Sequence, residues 1–275
     1  MNLGKINTLT VNRRVDFGLY LVDSGGEEVL LPKRYVPVGT KLGDRLDVLV
    51  YLDEDEKLVA TTERPLAQVG DFAYLKVAWV NQYGAFLKWG PMKDLFCPFR
   101  EQKMRMEIGD GYIVRVLIDE ESYRLMASAK VERYLDTSRP DYQHGDEVSV
   151  LVWQKTDLGF KVIVDNRYAG LAYKDQIFQH IHTGNRLTAY VNHVRDDGKI
   201  DITLQPTGRQ QTEQFSEVLL KWLKTNGGRC DLGDKSPSDA IAARFGVSKK
   251  TFKRAIGDLY KRRLITMTDE SLTLL

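Results

Sequence analysis

Aromatic residues and cations recur together along the first two thirds of the sequence, in clusters around a glycine. Phe17 and Tyr20 flank Gly18, and Tyr83 and Phe86 lie around Gly84 at the same distances. Proteins hold single-stranded nucleic acid with rings that stack on bases and cations that follow the phosphates, at about 1–3 kcal/mol per stacked base. The predicted contacts are Phe17, Tyr20, Lys33, Arg34, Tyr83, Phe86, Lys88, Arg100, Phe160, Lys161, Tyr173 and Lys174.

The three clusters differ in their content of rings. The second has both rings, and residues 67–140 hold 11 Lys and Arg against 10 Asp and Glu, the most favourable balance. In the third cluster Leu158 and Lys161 occupy the ring positions. The second cluster is therefore the predicted centre of binding. Some rings are equally compatible with a core role, because neighbours such as Phe160 and Lys161 point to opposite faces of a strand.

Acidic runs and a histidine pair are the residues that could serve metal catalysis. The runs are Asp53 to Glu56, Asp119 to Glu121 and Asp196 to Asp197. They follow the repeat described below, which places them in corresponding turns of separate units, whereas catalytic carboxylates must converge. His180 and His182 have no further Cys or His beside them. Neither a G-x-S-x-G elbow nor a Walker-type loop occurs. We therefore predict no enzyme, no cofactor and no metal site.

An internal repeat organises these clusters. Glycines fall at three places in each of three sets, with intervals of 14 and 25 residues every time: Gly4, Gly18 and Gly43; Gly70, Gly84 and Gly109; Gly145, Gly159 and Gly184. Flanking residues agree, since Asp16 to Leu21 matches Gln82 to Leu87 and Asp157 to Val162. Such periodicity indicates one structural unit used three times.

Each unit has the pattern of a small barrel of five strands. Residues 75–80 and 148–153 are rich in β-formers that partly alternate, and 112–118 and 187–194 form the fourth strands. After a polar turn, 124–129 and 199–204 return as the fifth strands. The central glycines predict bends or bulges that let a strand coil into a closed barrel. The fold predicted is an OB-type barrel, which commonly binds oligonucleotides and in other proteins binds carbohydrate or protein.

The last 69 residues have a different, basic and helical pattern. Residues 207–275 hold 13 Lys and Arg against 8 Asp and Glu, although the net charge of the whole chain is only +2. After a linker at Leu204 to Arg209, apolar spacing predicts a helix from about Thr212 that Gly227 and Gly228 end. Ser236 and Pro237 predict the start of a second helix, and Ser248 that of a third from Lys249 to Arg263. A hairpin at 264–274 completes a winged-helix pattern.

The third of these helices carries a concentration of positive charge. Its predicted nucleic-acid contacts are Lys249, Lys250, Lys253, Arg254 and Lys261. Such a helix suits a phosphate backbone or a major groove. The alternative is a solvated helix in a domain that docks on protein, because helix-turn-helix geometry serves both purposes.

The wording of the repeats resembles a known family. The stretch from Tyr83 to Leu87, followed at fixed distance by Leu95 to Pro98 and Ile108 to Asp110, resembles the S1-type RNA-binding repeat, and so does Gly4 to Leu21. That family binds single-stranded RNA on two aromatics at the bend and a third aromatic or His on the next strand. The third position holds proline at Pro32 and Pro98 and an aromatic ring at Tyr173.

Three such repeats followed by a winged helix resemble, over nearly the whole chain, the conserved virulence factor B (YitL-like) family of bacterial RNA-binding proteins. The resemblance implies a regulatory, non-enzymatic role and single-stranded RNA as partner. The two cysteines are far apart and the N-terminus lacks the form of a secretory signal, so we expect a cytoplasmic protein without a membrane partner.

The expected fold is therefore mostly β. Three OB-type barrels at residues 1–66, 67–140 and 141–206 precede an α+β winged-helix domain at 207–275. The winged helix would contact structured RNA, DNA or protein. Two other functions remain open at this point, a DNA-binding transcription regulator led by the winged helix and a protein-binding adaptor.

Overall fold

The computed structural model of the chain describes residues 1–53, 55–177, 179–205 and 208–275, without the side chains of 208–211, 213 and 214. Glu54 of the first acidic run and Pro206 and Thr207 of the predicted linker lie outside the described residues. The chain divides into two units, Met1–Leu135 and Asp136–Leu275. The first contains two barrels, and the second contains a third barrel and the helical domain.

The first barrel consists of five strands: β1 (Ile6–Val15), β2 (Gly18–Val22), β3 (Glu28–Pro32), β4 (Arg45–Leu52) and β5 (Leu58–Thr61). They close in the order β1-β2-β3-β5-β4. The contact between β3 and β5 is parallel, and the other neighbours are antiparallel. A closed sheet leaves no unpaired edge, which removes a common route to aggregation.

The second barrel has the same strand order and pairing. Its strands are β6 (Phe72–Val80), β7 (Gly84–Lys88), β8 (Leu95–Pro98), β9 (Gly111–Ile118) and β10 (Leu125–Ser128). The fourth and fifth strands lie where the sequence predicts them. Side chains alternate along each strand, so that Ala85 and Leu87 are buried in the core while Phe86 between them faces outward.

The third barrel, in the second unit, repeats the arrangement. Its strands are β11 (Glu147–Thr156), β12 (Gly159–Val164), β13 (Tyr168–Tyr173), β14 (Arg186–Val194) and β15 (Ile200–Thr203). They close in the order β11-β12-β13-β15-β14, which matches the first barrel strand for strand. The expected repeat of one five-stranded unit is thereby confirmed.

The central glycine of each repeat is required by a close approach of two strands. A Cβ added to Gly84 would lie 2.4 Å from the carbonyl oxygen of Cys97, and one added to Gly18 would lie 2.2 Å from that of Leu31. The expectation of a bulge at this glycine needs correction. The bulge lies in the preceding strand, between Val77 and Trp79 in barrel 2, and the glycine begins the next strand after the bend.

Within the first unit, barrels 1 and 2 pack directly on each other. Leu49 of β4 belongs to the core of barrel 2. The backbone amide of Val69 donates to the carbonyl of Gly4 at 3.0 Å, and that of Ile6 donates to Oε1 of Gln68 at 2.7 Å. A shared core and these hydrogen bonds hold the two barrels in a fixed relation.

The C-terminal domain has the winged-helix order of elements. They are α1 (Gly208–Thr225), β16 (Arg229–Cys230), α2 (Ser238–Phe245), α3 (Lys249–Lys261), β17 (Ile265–Met267) and β18 (Leu272–Leu274). The three short strands form a sheet in the order β16-β18-β17. Leu219, Ile241, Phe252 and Leu259 lie in a common core. Among the described residues, no helix combines the length and the hydropathy needed to cross a membrane.

Local capping explains most of these helix limits. Ser248 accepts a hydrogen bond from the amide of Thr251 at 3.1 Å and so caps α3, as its sequence predicts. Gly246 ends α2 in the left-handed conformation, at φ 66°. Ser236 does not cap α2, because its hydroxyl accepts from the amide of Gly233 at 2.8 Å and closes the preceding turn, which leaves Pro237 at the cap position.

Candidate nucleic-acid interface

A row of three aromatic side chains crosses the outer face of barrel 2. The bulge in β6 turns Trp79 outward, opposite Phe86 of β7, and Phe86 lies opposite Phe96 of β8. Three neighbouring strands therefore each contribute one ring at the same level. Cross-strand neighbours on one face are about 4.5–5.5 Å apart at Cβ, which is close enough for rings to touch.

Trp79 and Phe86 are stacked like two bases. Their ring centroids are 3.6 Å apart with planes 5° from parallel, and Phe86 and Phe96 are 4.9 Å apart at 39°. Nε1 of Trp79 donates to Oδ2 of Asp94 at 3.0 Å, which fixes the plane of the indole. Trp79 remains 44% exposed. Its outer face is thus a rigid surface suited to a stacked base.

The structure also locates the predicted contacts of barrel 2. Tyr83 is 65% exposed in the turn before β7, where its amide donates to Oδ1 of Asn81 at 2.8 Å. Lys88 is exposed at the end of β7, opposite the equally exposed Lys76 of β6. Arg100 is exposed and forms an ion pair with Asp119 at 3.1 Å. Cations therefore lie on both sides of the rings. Trp79, Phe96 and Lys76 are absent from the sequence-based set, although all three are outward residues of their strands.

Barrel 1 presents the same face in a covered form. Phe17 is exposed, but the guanidinium of Arg13 lies 3.7 Å above the ring of Tyr20. Nη2 of Arg13 is 2.8 Å from Oε2 of Glu28, and this hydrogen bond lowers the pKa of Glu28 and raises that of Arg13. The ion pair holds the cation over the ring, so the outer face of Tyr20 is occupied from within the barrel.

The two remaining predicted contacts of barrel 1 follow β3. Lys33 and Arg34 are exposed in a single 3-10 turn. The guanidinium of Arg34 lies 4.6 Å from the ring centroid of Tyr35, and its Nη1 is 3.7 Å from the sulfur of Met92 in barrel 2. Arg34 therefore extends towards the second barrel.

Barrel 3 separates its predicted contacts. Phe160 packs against the core, whereas Lys161 is exposed with Nζ 5.3 Å from the ring centroid of Trp153. The hydroxyl of Tyr173 accepts a hydrogen bond from Nη2 of Arg195 at 2.8 Å. Lys174 is exposed at the start of the following turn. Alternation along β12 thus assigns Phe160 to the core and leaves Lys161 for a ligand.

The registers of the three barrels make their rows directly comparable. In barrel 1 the row is Arg13, Tyr20 and Leu30; in barrel 2 it is Trp79, Phe86 and Phe96; in barrel 3 it is Gln154, Lys161 and Leu171. The rows contain one, three and no aromatic rings. Barrel 2 accordingly has the greatest capacity for stacking.

Helix α3 of the winged domain presents positive charge to solvent. Lys250, Lys253 and Arg254 are exposed, Lys261 is exposed at the helix end, and Lys249 is half-buried. Nζ of Lys253 lies 2.9 Å from Oδ2 of Asp234. In the part of the chain that the structure describes, Lys250 and Arg254 make no ion pair.

The acidic runs act as turn formers, as their repeated position predicts. Oδ1 of Asp119 accepts from the amides of Glu121 and Ser122, and these bonds, that of Ser122 first, lower the pKa of Asp119. Oδ1 of Asp53 and of Asp197 accept from backbone amides two to four residues further on. Within the described ranges, no three His, Cys, Asp or Glu side chains gather as metal ligands.

Comparisons with known proteins agree with this architecture. Residues 3–63 match the family model of the S1 domain, and residues 217–274 match that of the CvfB-like winged helix domain. YitL of Bacillus subtilis is 25% identical over 269 residues, which cover 95% of this chain and 90% of the relative. Conserved virulence factor B of Staphylococcus epidermidis is 23% identical over 241 residues, covering 85% of this chain and 81% of the relative.

A solved structure is also similar over the full length. It is a multidomain protein with nucleic acid binding domains from Streptococcus pneumoniae, 23% identical, which aligns over 99% of this chain and 98% of its own with a TM-score of 0.42. The family matches and the three closed barrels confirm the predicted fold class, mostly β with S1-type barrels and a C-terminal winged helix.

Proposed function

We propose that this chain, a homologue of conserved virulence factor B and YitL that begins with an S1 domain and ends with a CvfB-like winged helix domain, is an RNA-binding regulator of gene expression. It binds single-stranded RNA on its barrel faces, with barrel 2 as the centre. The observation that carries the proposal is the row of Trp79, Phe86 and Phe96, whose outermost ring is exposed and held in a fixed plane.

The geometry of this row favours a single strand over a duplex. Exposed ring faces can stack only on bases that are unpaired, since a duplex hides its base faces. Lys76 and Lys88 on one side and Arg100 on the other are placed to follow a backbone across the rings. The likeness to S1-type repeats favours RNA over DNA.

The contribution of each barrel follows from its row. In barrel 2, Trp79 and Tyr83 offer exposed rings, and Phe86 and Phe96 support them. Barrel 1 supplies Phe17, Lys33 and Arg34, while Tyr20 stays covered. Barrel 3 supplies Lys161, Lys174 and Tyr173. We assign the strongest contacts to barrel 2 because each stacked base adds about 1–3 kcal/mol.

Fluorescence anisotropy with labelled oligonucleotides of about 20 nucleotides tests the proposal, a length that exceeds the site of one OB barrel. Unstructured RNA, the matching single-stranded DNA and duplex DNA are titrated with the wild type and with Tyr83→Ala/Phe86→Ala. Loss of two rings should weaken single-strand binding at least about 30-fold. Tyr74→Ala is the control, because Tyr74 is an exposed ring of β6 that faces β9 instead of β7. Duplex preference that ignores the double substitution would refute the proposal.

A second candidate function rests on the unpaired cations of α3. Lys250 and Arg254 suit a duplex backbone or groove, so the winged helix would bind structured RNA or DNA as an accessory contact, or lead as a transcription regulator. Lys250→Glu/Arg254→Glu should then abolish duplex binding. Lys221→Glu/Lys224→Glu makes the same charge change on exposed residues of α1 and serves as the control.

The remaining expectations belong to the same proposal. S1 and winged helix domains are typically binding modules, so we propose a non-catalytic role in the cytoplasm. RNA that is still full-length after prolonged incubation with the protein would agree with it. Weak oligonucleotide affinity even at low salt would instead favour the protein-binding adaptor.

A further inference from the structure

A groove of about 710 Å³ opens beside the ring row, on the side of barrel 2 that meets barrel 1. Its size falls in the range of about 300–1,000 Å³ typical of ligand sites. Phe86 and Phe96 belong both to the ring row and to the groove, so the two surfaces are continuous. Tyr83 stands at the same opening. A strand that crosses the rings of barrel 2 therefore reaches the groove without leaving the surface.

The opposite wall comes from barrel 1. Tyr51 and Leu52, at the end of β4, line the groove although they lie outside the face on which barrel 1 carries its own row. The wall is fixed, because Tyr51 packs against the core of barrel 2 and Leu49, two residues earlier, is part of that core. A Cβ added to Gly4 would lie 2.2 Å from Cγ2 of Val69, which shows how closely the barrels meet beside it.

The lining has an apolar interior and a charged rim. Pro91, Leu95, Pro98 and Met126 add apolar surface around the rings. The rim contains three cations, Lys93, Arg100 and Arg124, and two carboxylates, Asp94 and Asp119. Apolar rings below and cations at the edge are the combination that flat, uncharged bases on a charged backbone require.

Two features of the rim connect it to barrel 1. Nη2 of Arg124, in the turn between β9 and β10, lies 3.7 Å from Oε1 of Glu56 in the turn between β4 and β5. Burial and the neighbouring Tyr35 raise the pKa of Tyr51 to about 12, so its phenol keeps its proton at neutral pH and offers a hydrogen-bond donor. The wall from barrel 1 is thus neutral and adds no charge that would repel phosphates.

We infer that this groove is a second base-binding site for the same RNA strand, in which barrel 1 acts through the wall of Tyr51 and Leu52 instead of through its own face. The inference rests on the proposed single-stranded RNA binding. Barrels 1 and 2 form one binding unit, and bases that follow the one stacked on Trp79 enter the groove. The covered Tyr20 and the available wall explain together why barrel 1 is retained beside a stronger neighbour.

Charge substitutions in the wall test this assignment. Leu52→Glu places a carboxylate inside the groove, and we expect it to weaken RNA binding about tenfold by repelling the backbone. Leu52→Arg changes the same position with the opposite charge and should bind at least as tightly as wild type. Leu42→Glu is the control, because Leu42 is an exposed leucine of barrel 1 that does not line the groove. Thermal midpoints verify that all three variants are folded.

Crosslinking gives a readout that does not depend on affinity. RNA containing 4-thiouridine is irradiated in complex with the wild type, and the crosslinked peptides are identified by mass spectrometry. Crosslinks on the strand that contains Tyr51 and Leu52 support the inference.

The outcomes of the two proposals are distinguishable. Equal binding by both Leu52 variants, together with crosslinks confined to barrel 2, overturns the groove assignment while Trp79 and Phe86 variants can still lose binding. A wild-type protein that fails to bind single-stranded RNA refutes the proposed function itself and the groove with it.

Discussion

Replacement of Trp79 by alanine should reduce the affinity for single-stranded RNA about 5-fold to about 30-fold. One face of the indole contacts Phe86 at 3.6 Å and the other is exposed, so Trp79 can stack on one base. One stacked base contributes about 1–3 kcal/mol, and about 1.4 kcal/mol changes affinity tenfold. The expected loss lies in the lower half of that range, because the truncation uncovers Phe86 as a poorer platform.

Anisotropy titration with Trp79→Ala, Trp79→Phe and Tyr74→Ala separates stacking from general effects. Trp79→Phe keeps a ring in the row and should retain most of the affinity. It also removes an exposed tryptophan, so RNA should quench the intrinsic fluorescence of wild type more than that of Trp79→Phe. Tyr74→Ala should bind as wild type does. An affinity of Trp79→Ala within twofold of wild type, with unchanged quenching, would refute stacking on this ring.

Three further predictions concern charge, packing and reactivity. Glu28→Gln releases Arg13 from its ion pair, so RNA binding should become tighter and the slope of log affinity against log salt steeper by about 0.7, measured between about 50 and 200 mM KCl. Gly84→Ala forces a Cβ against a backbone carbonyl and should cost about 3 kcal/mol in the free energy of unfolding by urea. Burial raises the pKa of Cys97 to about 12, so at pH 8 its thiol should react with a disulfide reagent only after unfolding.

Each of these predictions has a matched control. Glu27→Gln removes an exposed carboxylate beside Glu28 that pairs with the N-terminus, and it should leave the salt slope as in wild type. Gly39→Ala meets no atom within 4 Å and carries only the left-handed strain at φ 86°, about 1 kcal/mol. Thiol reactivity is measured in a Cys230→Ser background. Equal slopes, equal losses of stability, or rapid labelling of the native thiol would contradict the respective arguments.

The number and type of the domains could be predicted from the sequence because they depend on local backbone requirements. Gly84 is needed wherever two strands cross with no room for a Cβ, so its spacing to Gly70 and Gly109 repeats with the fold. The fourth and fifth strands and the cap of α3 at Ser248 likewise follow from alternation and from one hydrogen bond. The limits of the four domains remain predictions.

The choice of ring contacts could be predicted only in part, since it depends on long-range register. The bulge at Val77 to Trp79 shifts the alternation of β6, and only the pairing of β6 with β7 shows that Trp79 stacks on Phe86. A tryptophan two residues past a strand of regular alternation was the available signal. The same alternation, read without ambiguity once β12 is paired, assigns Phe160 to the core.

What the sequence by itself determined is the repeated barrel, the winged helix and the richness of barrel 2 in rings, because these properties belong to single residues and to neighbours along the chain. What only the tertiary structure decided is which surfaces are open. The ion pair of Arg13 with Glu28 over Tyr20, and the groove that Leu52 closes from another barrel, join residues from different strands or domains. Contacts of this kind depend on distances in the folded chain, which no local pattern encodes.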